Sequence, residues 1–378
     1  MILQTKELQD IAQKILSTIN TNDTVNSTDQ LQLSTTQGKL HLSVSSDEYF
    51  VDIQLPADVQ EELHAVVNAN VFLKLLTQTS VDSISLQVDE QTLQVEGNGK
   101  YVLPLLYTSS GETLRLTGIQ IFNPVQRMTI SSDILASLLR YNAKQLSTVK
   151  VVASPLQKVF YMDECGAITF TEGACVNNFT LPQPTRVLLS PKLVKLFKLF
   201  QKDEPVEMIV GYDSVGGSAE IIQTKIQFAT PLVTISAILT CDDTLLNSYP
   251  ASRIRDSATA NYRYSTVVSK DLLQAAVNRL LLFHSSTDVL QPIGKFVFRG
   301  DDVVINDIRT RNREVVDYVN SIDSLQYGEY TAVINLNEIK ATLDTCSDSY
   351  LTVYFGSDVA LVIARGNVYN VIPQRSSD

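Results

Sequence analysis

Four lysines on one short stretch are the residues best placed to act on another molecule. In SPKLVKLFKLFQKD, from Ser190 to Asp203, Lys192, Lys195, Lys198 and Lys202 recur at helical spacing. At about 100° per residue they fall within an arc of about 120°, while Leu193, Val194, Leu196, Phe197 and Phe200 fall opposite. Leu199 alone breaks the pattern. Ser190 suits the N-cap and Pro191 the first helical position, so the start is specified locally. The formal net charge is -11, so this face stands against an acidic background. It attracts anions; an ordinary solvated surface is the competing reading.

The catalytic inventory is poor. His41, His64 and His284 are isolated in sequence and read as surface or core residues. GNGK, Gly97 to Lys100, lacks the glycine spacing and following Ser/Thr of a phosphate loop and lies between strands. Gly216-Gly217 reads as a turn, and Gly300-Asp301-Asp302 as a hairpin turn rather than a metal site. No GxSxG, HExxH or paired acidic helix motif occurs. The residues favour holding a partner over transforming one.

Position is set by the elements around these residues. A helix is expected over about 5–19, then alternating strands in LQLSTTQGKLHLSV and FVDIQL, a helix over Asn68 to Thr77, and strands in SISLQVD, TLQVEG and KYVLPLLY. The second third repeats this order: RMTI, a helix over Ser131 to Leu146 with Ile134, Leu135, Leu138 and Leu139 on its core side, strands VKVVAS, KVFYMD, AITFT and NNFTLP, and the lysine helix. Strands VEMIVGYD, SAEIIQT, KIQFAT and LVTISAI follow it. The last third has YRYSTVV and a helix from Ser269 with Leu272, Leu273, Ala276, Val277 and Leu280 on its core spacing. After KFVFRG, DVVINDI, EVVDYVN and YTAVINL comes a helix over Asn335 to Cys346, and YLTVYFG, ALVIARG and NVYNVIP close the chain.

Strand, helix, strands, helix, strands thus recurs three times, each unit able to bury its own core. Boundaries fall near 123 and 256, giving 1–122, 123–256 and 257–378, with Pro124 and the polar run Asp256 to Asn261 as linker-like composition. The class is α+β. At 378 residues, with 44% hydrophobic and 19% charged residues, the chain reads as a multidomain globular protein. Cys165, Cys175, Cys241 and Cys346 show no metal-ligand spacing and fit reduced thiols. Without an export signal or a long apolar run, a cytoplasmic protein is expected, and the sequons at Asn26 and Asn178 are chance matches.

The order and residues resemble the bacterial-type DNA polymerase sliding clamp, the beta processivity subunit. VNANVFLKLLTQTSVDSISLQVDEQTLQVEGNGKYVLPLL resembles that family's helix, acidic turn and three-strand ending. LLNSYPASRIRD is similar to its connector, and NVYNVIPQRSSD to its terminal strand. The resemblance covers nearly the whole chain and rests on order and spacing rather than on any one motif.

It implies three two-helix, two-sheet domains and a head-to-tail homodimeric ring with helices lining the hole, and a non-catalytic function with no cofactor. The partners implied are double-stranded DNA, held without regard to sequence, a DNA polymerase and a clamp loader. Lys74, Arg140, Lys144, Lys192, Lys195, Lys198, Lys202 and Lys340 become DNA-facing candidates, with Lys6, Lys14 and Arg279 secondary. Ring closure is implied for Tyr101, Val102, Leu103, Leu281, Leu282 and Phe283. A partner-peptide pocket is implied for Leu156, Thr171, Gly173, Val176, Pro250, Arg253, Val371, Ile372, Pro373 and Arg375.

The chain departs from the family at Ala174 and Cys175, where histidine and arginine are common, at Ile254, where a second arginine is usual, and at Gln374, where methionine is usual. Three residues follow Arg375. A divergent member, such as a phage-encoded clamp, fits these departures, and the pocket's peptide preference stays open. The Arg309, Arg311 and Arg313 cluster has no counterpart to carry over and reads as a loop between strands, with contact with DNA or a loader as the weaker reading. The alternatives are a repeated β-rich structural or scaffold protein without DNA binding, and a hydrolase or nuclease with an unrecognised site.

Overall fold

The computed structural model describes residues 1–18, 30–57, 62–146, 153–215, 218–239, 243–284, 291–357 and 360–375. The expectations at Asn26, Gly216-Gly217, Cys241 and most of VKVVAS lie outside the described residues.

The first third runs β1 (Ile2–Gln4), α1 (Thr5–Leu16), β2 (Gln30–Thr36), β3 (Lys39–Ser45), β4 (Tyr49–Pro56), β5 (His64–Asn68), α2 (Ala69–Gln78), β6 (Ser83–Val88), β7 (Thr92–Glu96) and β8 (Lys100–Pro104). The next continues with β9 (Pro124–Ser131), α3 (Ser132–Ser137), a π-helical turn Leu138–Asn142, α4 (Ala143–Leu146), β10 (Phe160–Asp163), β11 (Gly166–Phe170), β12 (Ala174–Asn178) and β13 (Arg186–Leu189). Then come α5 (Pro191–Leu196), a 3-10 turn Phe197–Leu199, β14 (Pro205–Val215), β15 (Ser218–Ala229) and β16 (Val233–Leu239). The last third holds α6 (Asp243–Ser248), α7 (Ala251–Thr259), β17 (Tyr264–Ser269), α8 (Lys270–Leu281), β18 (Ile293–Phe298), β19 (Asp302–Asp307) and β20 (Arg313–Asp317). It ends with β21 (Tyr330–Asn335), α9 (Leu336–Leu343), β22 (Tyr350–Phe355), β23 (Ala360–Arg365) and β24 (Val368–Pro373).

These elements form two compact units, Met1–Ala136 with Lys192–Cys241, and Ser137–Pro191 with Asp242–Asp378. The first holds an eight-stranded sheet, β5-β2-β3-β4-β16-β15-β14-β9, and a four-stranded one, β1-β6-β7-β8. The second holds β13-β10-β11-β12-β24-β23-β22-β17 and β20-β19-β18-β21. The eight-stranded sheets share one plan. In the first, β4 meets β16 antiparallel, with Ile53 opposite Val233; in the second, β12 meets β24, with Ala174 opposite Val371.

Local chemistry explains most boundaries. The Asn68 side chain accepts from Val71 N, the Ser269 hydroxyl from Leu272 N and the Asn335 side chain from Asn337 N, so α2, α8 and α9 each begin at a polar cap. In the second unit Leu273, Ala276, Val277 and Leu280 pack over Phe296, Phe298, Ile305, Phe355 and Ile372, and Phe298 stacks on Phe355 at 4.1 Å. Each fully buried side chain of this size contributes about 1.5–3 kcal/mol.

Several expectations need correction. Leu272 is 56% exposed, because the first turn of α8 points it away from the Leu273–Leu280 stripe. The strand expected in NNFTLP is displaced to Ala174–Asn178. SAEIIQT and KIQFAT form one strand, β15, in unbroken pairing with β16 from Thr224 to Ala229. The polar run from Asp256 is partly the end of α7.

Candidate nucleic-acid interface and partner surfaces

The lysine helix is shorter than its spacing suggests. α5 ends at Leu196 and tightens into a 3-10 turn over Phe197–Leu199. A 3-10 turn advances about 120° per residue instead of about 100°, so three such residues carry Leu199 about 60° further round, onto the Leu196 side. Leu199 is accordingly buried with Leu193, Val194, Leu196, Phe197 and Phe200. Lys202 lies beyond the helix in a turn whose next residue, Asp203, has a φ of 60°. Lys192 and Lys195 therefore lie on α5, Lys198 on the 3-10 turn and Lys202 beyond both, so the four do not share one helix.

Lys192 and Lys198 find partners in distant sequence, and Lys202 in the next residue. Lys192 Nζ lies 3.5 Å from Glu48 Oε1 and 4.0 Å from Asp47 Oδ1. Lys198 Nζ donates to Ser17 Oγ at 3.4 Å, where the 3-10 turn packs on α1. Lys202 sits 3.6 Å from Asp203. Lys195 and, on α2, Lys74 are exposed with no ion pair among the described residues.

In the second unit α4 packs on α9, and α8 on α9. Lys144 Nζ stands 3.7 Å from Asp344 Oδ2, and Lys340 Nζ 3.1 Å from the same oxygen. Arg140 donates to Ser347 Oγ. Of the secondary candidates, Lys6 is exposed, Lys14 pairs with Asp10 at 2.8 Å, and Arg279 clasps Glu314 through two bonds of 2.8 and 2.6 Å. The Arg279 bonds hold the Glu314 carboxyl below its ordinary range.

The connector and terminal-strand residues come together on one face of the sheet that joins β12 to β24. Tyr249 stacks on Tyr161 at 4.8 Å and donates to Ile168 O at 2.9 Å, Pro250 precedes α7, and α7 packs on β12 and β24. Arg253 lies on α7, and Arg255 beside it clasps Asp163 through two bonds of 2.6 Å. Leu156, on a 3-10 turn Pro155–Lys158, is half-buried, and its neighbour Gln157 donates to Thr171 O at 3.1 Å. A Cβ at Gly173 would stand 2.9 Å from both Glu338 Oε2 and Val371 O, which explains a glycine there.

Alternation on β24 leaves Val371 and Pro373 on the connector side. Ile372 points the other way, into the core, and cannot line this surface. Val176 is on the connector side but buried. Arg375 crosses the rim to bond Glu172 and, at 2.7 Å, Gln291. Burial pushes the Glu172 carboxyl up, but bonds from Gln291, Arg375 and Asn335 outweigh it and leave it lowered.

The sequence reading missed a buried polar cluster behind this strand. Asn142 donates to Thr169 Oγ1 and Cys175 O, each at 3.3 Å, and Gln145 donates to Glu338 Oε2 at 2.8 Å. Asn142 and Gln145 continue the Leu135–Leu138 stripe at three- and four-residue steps, the one signal that could have marked them as inward.

At the free sheet edges, Val102 on β8 is 56% exposed and Val315 on β20 is 48% exposed. Tyr101 is also exposed, but Leu103, opposite Leu93, is buried in its own sheet and unavailable. Leu282 and Phe283 protrude at the end of α8, with Leu281 half-buried. The histidines are not isolated: His41 Nδ1 lies 2.8 Å from Asp52 Oδ2, His64 contacts Leu114 O at 3.2 Å, and buried His284 pairs with Asp307. Asp307 also accepts from Arg309 N and Thr310 N, which shapes the loop carrying Arg309 and Arg311; Arg313 opens β20. No helix of the described residues is long and apolar enough to cross a membrane.

This architecture is the DNA polymerase sliding-clamp fold. Among solved structures, the DNA polymerase sliding clamp of Bacillus subtilis matches with a TM-score of 0.76 at 14% identity, over 100% of this chain and 99% of that one. The DNA polymerase III subunit beta of Borrelia burgdorferi matches at 0.77 and 11%, with the same coverage. The Helicobacter pylori beta clamp, solved bound to a DNA ligase peptide, matches at 0.74 and 10%, also over 100% and 99%. No protein-family model and no curated protein matches the sequence.

Proposed function

We propose that the chain is a non-catalytic sliding clamp: two copies close head to tail around duplex DNA and tether a replicative DNA polymerase, after loading by an ATP-driven loader. The domains are 1–122, 123–256 and 257–378, and the working compartment is the cytoplasm of a bacterial or phage-infected cell.

The observation that carries this reading is a repeated sheet junction with one pair of ends left over. The group β5-β2-β3-β4 meets β16-β15-β14-β9 through β4 and β16, and β13-β10-β11-β12 meets β24-β23-β22-β17 through β12 and β24. The remaining groups, β21-β18-β19-β20 and β8-β7-β6-β1, have the same two orders, and their corresponding edges, β20 and β8, are unpaired among the described residues. Joining β20 of one copy to β8 of another repeats the junction and closes a ring, a heterologous contact completed by the twofold.

Register follows from the first junction together with strand alternation, since at the second junction the first residue of β24, Val368, faces Asn177, the fourth of β12. At the first junction the first residue of β16, Val233, faces Ile53, the fifth of β4. The equivalent pairing sets Lys100 against Asp317, Tyr101 against Val316, Val102 against Val315 and Leu103 against Glu314. A one-residue slip would set outward Lys100 against inward Val316, so alternation selects the first frame. It pairs opposite charges and covers two exposed valines. The end of α8, with Leu282 and Phe283, then meets α2 of the other copy, as α4 meets α9.

The basic helix faces support weak, sequence-independent attraction to phosphates, which permits sliding. The surface at Leu156, Thr171, Pro250, Arg253, Val371 and Pro373 supports a site for a linear partner peptide, the role suggested by the ligase peptide on the Helicobacter pylori clamp. Sedimentation tests the assembly: wild type should run at twice the 41.9 kDa chain mass, and Val102→Asp as a folded monomer. A wild type that stays monomeric at micromolar concentration sinks the ring.

A further inference from the structure

Half of the eight candidate DNA-facing cations are already engaged by the chain's own carboxylates. Lys144, Lys192, Lys202 and Lys340 each lie within 4.0 Å of an acidic oxygen. Asp344 engages two of these lysines at once. Its Oδ2 takes Lys340 at 3.1 Å and Lys144 at 3.7 Å, and its Oδ1 takes Lys340 at 3.2 Å and Gln274 Nε2 at 2.9 Å. One carboxylate thus gathers side chains from α4, α8 and α9.

Its position is electrostatically costly in isolation. Asp344 is the C-cap of α9, with its backbone N–H bonded to Lys340 O. The carbonyl end of a helix disfavours an anion. The two ammonium groups compensate the charge, and the carboxylate in turn keeps both of them from presenting full charge to solvent.

On the clamp reading above, we propose that Asp344 is an affinity-tuning residue: it holds Lys144 and Lys340 in reserve, so that phosphates gain them only by competing with its carboxylate. A lysine that stays with Asp344 neutralises no phosphate and so displaces no counterion from the DNA, and the salt dependence of binding tracks the number of phosphates neutralised. The consequence is a weaker, shallower attraction, suited to a ring that must move along DNA rather than stop on it. Lys74, Arg140, Lys195 and Lys198, which no carboxylate engages among the described residues, supply the unreserved part of the charge.

The test measures binding of the full chain to a short blunt-ended duplex by fluorescence anisotropy, between about 50 and 200 mM salt. Asp344→Asn keeps the shape and an acceptor for Gln274 and Lys340 while removing the negative charge that neutralises both lysines. It should bind several-fold more tightly at low salt, and its log affinity against log salt should steepen by about one to two units, as one or two further lysines engage phosphates. In a Lys144→Gln, Lys340→Gln background the same substitution should change neither quantity. Wild-type binding with Asp344→Asn superimposed on it overturns the tuning role alone. A gain that survives in the double-glutamine background also overturns it, since the lysines would not be its source. Absence of wild-type binding at every salt concentration overturns the clamp reading, and the tuning role with it.

Discussion

Gln145 Nε2 donates to Glu338 Oε2 at 2.8 Å, and both side chains are buried. The bond joins α4 to α9 and lies directly behind Gly173. Gln145→Ala withdraws a donor from a buried carboxylate, a loss of about 1.5–3 kcal/mol for a bond to a charged group. Urea unfolding at neutral pH measures it. A change below about 0.5 kcal/mol, the scale of an inconsequential surface substitution, contradicts this role.

Gly173→Ala places a methyl group against Glu338 Oε2 and Val371 O, each 2.9 Å from the new carbon. Backbone on one side and a buried acid on the other cannot yield easily, so overpacking of about 1–3 kcal/mol is expected. Restoring room with Glu338→Ala should recover part of it. Additive losses in the double mutant would show that the two positions do not collide.

Asp307 gives a pH dependence with a definite sign. Burial pushes its carboxyl up, but bonds from Thr310 N, His284 and Arg309 N outweigh this and leave it lowered. A depressed carboxyl contributes stability that is present above its unfolded value, about 3.9, and is lost as pH falls through the folded value. Asp307→Asn should therefore melt below wild type at pH 7, with the gap closing in the acid range below about pH 4. A gap independent of pH would rule out the ionised Asp307 carboxylate as its cause.

The ring edge should be separable from the fold. Leu282 is 80% exposed, Val71 on α2 is 57% exposed, and both belong to the surface that α8 and α2 of two copies would share. Leu282→Asp and Val71→Asp should each weaken dimerisation at least tenfold, from loss of roughly 1.5 kcal/mol of apolar burial, with melting of the monomer unchanged. Equal dimerisation constants across the three proteins would mean that α8 meets something other than α2.

The alternating strands and polar caps were legible because they follow from neighbours in sequence: LQLSTTQGKLHLSV turns at Gly38 and α8 starts at Ser269 as its residues dictate. Other features depend on distant partners. The tightening at Phe197–Leu199 fits Phe197 against Phe228, an edge contact at 4.8 Å that no local spacing encodes. The lysine spacing marked a basic face, yet the acids that engage Lys192, Asp47 and Glu48, lie far away in the chain. Leu103 and Ile372 matched interface and pocket positions by order alone, and strand alternation turned both inward.

Topological trapping tests the central claim most directly. Val102→Cys with Val315→Cys places thiols opposite one another at the proposed junction, in a Cys165→Ser, Cys241→Ser background that leaves only the buried Cys175 and Cys346 of the native thiols. The protein is mixed with a closed circular plasmid, oxidised and washed in high salt, and the protein retained is measured before and after the plasmid is cut once. A ring around DNA predicts a disulfide-linked dimer that resists salt on the circle and leaves when the circle is opened. Failure of the disulfide to form, or retention that does not depend on whether the plasmid is closed, would contradict it.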